Sequence, residues 1–64
     1  MNPAAFKEAR ESLALTPLQA AQVLGYGSAV RISEIEHGKM NPSAAVVRLM
    51  EAYRAGYRPD DWPI

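Results

Sequence analysis

Few residues in this chain could carry out chemistry. His37 is the only histidine and there is no cysteine, so neither a disulfide nor a Cys/His metal cluster can form. Glu34 and Glu36 are the obvious carboxylates for acid–base work. Two residues apart on a helix, however, they point in different directions and cannot share a site. His37, near a helix C-terminus, is better placed to satisfy terminal carbonyls or touch an anion than to act as a base. The sequence has no nucleophile–base pair and no glycine-rich phosphate loop. These absences point away from an enzyme and from any metal or cofactor. What remains is a run of polar and cationic side chains, Arg31, Ser33, Glu34, His37, Lys39 and Asn41, close together in the middle of the chain.

The elements that position this run are marked by dense punctuation. Asn2 before Pro3 reads as an N-cap with proline at the first helical position. Phe6, Ala9, Arg10 and Leu13 then share a helical face, predicting a first helix over 3–13. Thr16 and Gln19 have capping-box spacing, with Pro17 again first in the helix; the second helix runs to Leu24 and stops at Gly25. Ser28 is a candidate cap for a third helix over 29–37, with Ile32 and Ile35 on its inner face and Gly38 as its end. Ser43 caps a fourth over 44–55, where Val46, Leu49, Met50 and Tyr53 fall at i, i+3, i+4 and i+7. The fold class is all-α: four short helices in one domain over 1–56, followed by a tail over 57–64. The two prolines of the tail allow a short turn but not a long helix. Leu18 and Val23 fit beneath the tail or at a subunit contact, and Trp62 reads as an anchor of the tail on the core.

Composition narrows the class further. At 64 residues the chain is one domain, near the lower limit for folding without a disulfide or metal. Its start lacks the basic and apolar segments of a signal peptide, and no apolar run approaches the roughly 20 residues needed to span a bilayer. A cytoplasmic protein with no membrane contact is the expectation. Seven Lys and Arg balance seven Asp and Glu, so where the charges sit matters more than their sum.

The segment over 16–38 is the informative one. Two short helices meet at a tight glycine-containing turn, and small Ala21 midway along the first lets the second cross closely. With Ile32 and Ile35 turned inward, Ala29, Val30, Ser33, Glu34 and His37 face outward together. A helix of this length fits the DNA major groove.

This pattern resembles the Cro and phage-repressor (XRE) type of helix-turn-helix domain, known from bacteria and phages. The family's first run appears as Leu15-Thr16-Pro17-Leu18-Gln19-Ala20-Ala21-Gln22-Val23-Leu24-Gly25, and its second as Ile32-Ser33-Glu34-Ile35-Glu36-His37-Gly38. The Pro-Ser before the fourth helix is Pro42-Ser43, so the resemblance covers about residues 6–53. It implies a lambda repressor-like fold and a sequence-specific transcriptional regulator, a repressor or autoregulator, that binds double-stranded DNA at an inverted repeat as a homodimer. On this resemblance Ser28, Ala29, Val30, Arg31, Ser33 and Glu34 lie in the groove, Thr16, His37, Lys39 and Asn41 at phosphates, and Arg10 with Glu36 forms an inward ion pair. Arg31, Lys39 and Lys7 would form its positive patch.

Three departures from the family accompany the resemblance. Pro17 replaces a usual glutamine, Ala20 a usual leucine, and the turn over 25–28 is one residue longer, with Gly27 able to supply a positive φ. Neutral charge, Pro17 and Glu34 favour an alternative: a protein-interaction or antitoxin-type module on the same fold, with weak or no DNA binding and a protein partner engaged through the tail.

Overall fold

The computed structural model describes residues 1–63. It contains four helices, α1 (Pro3–Ser12), α2 (Pro17–Leu24), α3 (Ala29–Glu36) and α4 (Ala44–Arg54). Among the described residues there is no strand, and no helix is long and apolar enough to cross a membrane. Each helix starts where its punctuation places it, and three end one residue short of the expected boundary.

Three N-termini are capped by side chains. Asn2 Oδ1 accepts from the Ala5 amide at 2.7 Å and Ser43 Oγ from the Val46 amide at 3.2 Å. Thr16 and Gln19 close the full capping box, with the Gln19 amide donating to Thr16 Oγ1 and the Thr16 amide donating back to Gln19 Oε1. Ser28 departs from expectation. It occupies the N-cap position of α3, but its side chain makes no capping bond. Serine type alone cannot ensure a cap, because its hydroxyl must also point at the first-turn amides.

All four C-termini close with the same paired hydrogen bonds, each around a left-handed residue. At the end of α2 this residue is Gly25, with φ of 82°, and the Tyr26 amide reaches back to the Ala21 carbonyl at 2.8 Å. The longer turn therefore takes its positive φ from Gly25, and Gly27, expected to supply one, has none. At the end of α1 the left-handed residue is Ala14, with φ of 58°. The Leu15 amide donates to the Arg10 carbonyl and the Ala14 amide to the Glu11 carbonyl, so alanine does there what glycine does elsewhere.

The core is built from every helix. Phe6 and Ala9 of α1, Ala20, Ala21, Val23 and Leu24 of α2, Ile32 and Ile35 of α3, and Met50 and Tyr53 of α4 are all buried, with Leu13 and Leu15 closing the α1–α2 junction. The pairing of α2 with α3 is the most extensive in the molecule. Ala20 and Ala21 have almost no exposed surface, so small side chains let the two helices approach.

Beyond α4 the chain folds back. A turn closes with the Trp62 amide on the Pro59 carbonyl, and the Trp62 ring meets the edge of Tyr53 at 4.9 Å between centroids. Arg58 lies over the Trp62 ring at 4.4 Å and donates to the Tyr53 and Tyr57 carbonyls. Trp62 is thus the anchor the sequence suggests. The Tyr53 hydroxyl in turn donates to the Val23 carbonyl, so the tail, α4 and the end of α2 form one connected unit. Val23 lies in the core beside this bond, whereas Leu18 is exposed.

Candidate nucleic-acid interface

The candidate site is the outer face of α3 with the loop that follows it. Burial of Ile32 and Ile35 fixes which side of α3 faces inward. The opposite side carries Val30, 60 % exposed, together with exposed Ser33 and His37, while exposed Arg31 lies on the flank next to Ile35. Ala29 and Glu34, expected to face outward with them, are half-buried. Eight residues at 1.5 Å each give a rod of about 12 Å, comparable to the major-groove width.

Arg10 and Glu36 hold this helix to α1. Arg10 Nε donates to Glu36 Oε2 at 2.7 Å and its Nη2 to Oε1 at 3.3 Å. Its Nη1 donates to the Leu15 carbonyl at 2.8 Å. The two side chains are only 11 % and 10 % exposed, so the inward pair expected from the resemblance forms in the structure. The ion pair ties α3 to α1, and α3 also packs extensively on α2.

The polar groups of the face have specific neighbours. Arg31 Nη1 donates to Glu34 Oε1 at 2.6 Å, an i,i+3 pair with side chains 54 % and 32 % exposed. A proton on His37 Nδ1 donates to the Ser33 carbonyl at 2.7 Å, with Ser33 Oγ 3.3 Å from the same nitrogen. This is the terminal-carbonyl role expected for His37, and it leaves Nε2 without a partner among the described residues. Thr16 uses its oxygen as acceptor in the capping box, so its hydroxyl proton remains available to donate. Ser28, Lys39 and Asn41 are exposed. Their side chains make no hydrogen bond or ion pair to the described residues.

Charge on this side of the molecule is sparse. Residues 12–30 carry none at all, so all of α2 and the turn are neutral. Arg31 is paired with Glu34 and Glu36 with Arg10, leaving Lys39 as the unpaired charge of the segment over 12–43. Of the expected patch of Arg31, Lys39 and Lys7, Arg31 is compensated by Glu34, while Lys39 and Lys7 are exposed and make no ion pair with the described residues. The Arg31–Glu34 spacing was visible in the sequence as an i,i+3 pair, although each residue on its own suggested a contact to DNA.

No protein-family model, no curated protein and no solved structure matches this chain.

Proposed function

We propose that this protein is a cytoplasmic, non-enzymatic DNA-binding regulator of the Cro and phage-repressor type, a repressor or autoregulator that reads the major groove with α3. The observation that carries this reading is the isolated outer face of α3. Its two isoleucines are buried, its orientation is held by the buried Arg10–Glu36 pair, and Val30, Arg31, Ser33 and His37 stand exposed along one helix. In this role the Val30 methyls meet a thymine methyl, Ser33 bonds a base edge, and the Arg31 guanidinium forks onto a guanine. Ala29 and Ser28 lie at the groove wall. Thr16, His37 Nε2, Lys39 and Asn41 contact phosphates and set the register without reading sequence.

One domain with so few cations binds weakly alone, so the reading requires a homodimer on an inverted repeat with half-sites about one helical turn apart. Selection from a randomised duplex library tests this, followed by affinity measurements on the winner across a salt series. The proposal predicts an inverted repeat whose binding weakens as salt rises and is lost on Arg31→Ala. Folded protein that enriches nothing at low salt would refute it.

The uncharged surface over 12–30, with Leu18 exposed at 56 % and Val30 at 60 %, favours a second reading. On this reading the same fold is a protein-interaction or antitoxin-type module that engages a protein partner, with the tail as a further contact. Such a protein would enrich no duplex and would instead form a stoichiometric complex with that partner.

A further inference from the structure

We infer that Glu34 is a specificity-determining residue, which tethers Arg31 so that its charge is withheld from phosphates while part of its guanidinium stays available to a base. The inference rests on the DNA-binding reading of α3. Arg31 is the sole cation of α3, and Nη1 lies 2.6 Å from Glu34 Oε1. Glu34 is the more buried partner, at 32 % against 54 %, so the carboxylate is the fixed post and the guanidinium the arm.

The pair affects the two kinds of DNA contact differently. Attraction to phosphate depends mainly on net charge and needs little alignment, so a neutral pair with a carboxylate at its end gains almost nothing from the backbone. A guanine edge instead needs two N–H groups in one plane. A guanidinium has five such donors, and only Nη1 bonds Glu34. An exposed pair of this kind is weak, so a correctly placed base can compete for Arg31 as well. With residues 12–30 uncharged and Glu36 committed to Arg10, no other cation of α2 or α3 offsets the effect. The tether lowers affinity for random sequence more than for the correct one.

The test compares wild type with Glu34→Gln, which keeps the shape and removes the charge. Each binds a random-sequence duplex and the duplex enriched by selection, from about 50 to 200 mM salt. Circular dichroism of both proteins checks the fold. The expected result is a roughly ten-fold gain on random duplex at low salt and a log–log salt slope steeper by about 1 for Glu34→Gln. Affinity for the enriched duplex should rise less, so discrimination falls, and adding Arg31→Ala should cancel the gain on random sequence.

Unchanged random-duplex binding, with wild type still selective, would overturn the tether and leave the DNA-binding reading standing. Loss of the enriched duplex alone would make Glu34 a base reader instead, which also overturns it. Failure of both proteins to bind any duplex would remove the DNA-binding reading and the tether together.

Discussion

Breaking one partner of the Arg10–Glu36 pair should bring the fold close to its stability limit. Both side chains are about nine-tenths buried, and Arg10 serves two acceptors, the Glu36 carboxylate and the Leu15 carbonyl. Glu36→Gln leaves a buried guanidinium opposite a neutral amide. Arg10→Met leaves a buried carboxylate unpaired and the Leu15 carbonyl without its donor. Removing one partner of a buried pair costs about 3–5 kcal/mol, whereas replacing both with apolar groups is often close to neutral. At about 0.05–0.15 kcal/mol per residue, a chain of this size has roughly 3–10 kcal/mol in total. Each single variant should therefore lose much of its stability, and the double variant Arg10→Met with Glu36→Leu should recover it apart from about 1–3 kcal/mol for the Leu15 carbonyl left without its donor. Urea unfolding followed by far-UV circular dichroism gives the numbers. With a slope of about 1 kcal/mol/M for so small a protein, the singles should shift the midpoint by about 3 M or be unfolded without urea. Additive losses below about 1 kcal/mol for each single would refute the claim that this pair holds α3 to α1.

Further predictions concern the ends of the helices and the tail. Thr16→Ala and Ser43→Ala should each cost about 1 kcal/mol, while Ser28→Ala, which removes no capping bond, should cost less than about 0.5 kcal/mol; equal losses at all three positions would contradict the cap assignments. Ala14→Gly should stabilise the protein by about 0.5–1 kcal/mol, because a left-handed alanine is strained by more than the extra freedom glycine brings to the unfolded chain. Its Tm should rise by a few degrees, and a fall would refute the argument. Tyr53→Phe should cost about 1–2 kcal/mol near pH 8, since the Val23 carbonyl loses its donor. Burial, with the nearby Tyr57 and Asp61 charges, raises the Tyr53 hydroxyl above its usual 10.0. Its contribution is thus complete below about pH 10, the unfolded value, and lost as pH rises through the higher folded value. The gap between wild type and Tyr53→Phe should shrink in urea unfolding at pH 11, and a constant gap would count against the hydrogen bond.

Local signals account for what could be read from the sequence, and long-range contacts for what could not. Asn2-Pro3, Thr16-Pro17 and Ser43 mark helix starts because a cap and a fixed proline φ act within one turn. Gly25, Gly38 and Gly56 mark ends in the same way. Ala14 escaped this reading because residue type gives no hint that an alanine is left-handed; the neighbouring Leu13 and Leu15, both buried, draw the chain through that turn. Ser28 misled in the opposite sense, having a capping residue type without capping geometry. In the candidate site the buried face of α3 was evident from Ile32 and Ile35, which leave the opposite face outside. The half-burial of Ala29 and Glu34 depends on how closely neighbouring elements approach, which spacing does not encode. The Tyr53 bond to Val23 and the Arg58 stack on Trp62 require the path of the tail, and nothing periodic in residues 57–64 announces it.

The most direct test of the DNA-binding account is amide chemical-shift mapping of the labelled protein titrated with the enriched duplex, or with a mixed-sequence duplex at low salt if selection yields none. The account predicts perturbations concentrated at Ser28 to Glu34, with smaller ones at Thr16, His37, Lys39 and Asn41, and little change at Glu51 or Asp60. A spectrum that does not change, or changes only along the tail, would contradict the assignment of α3 as the reading helix.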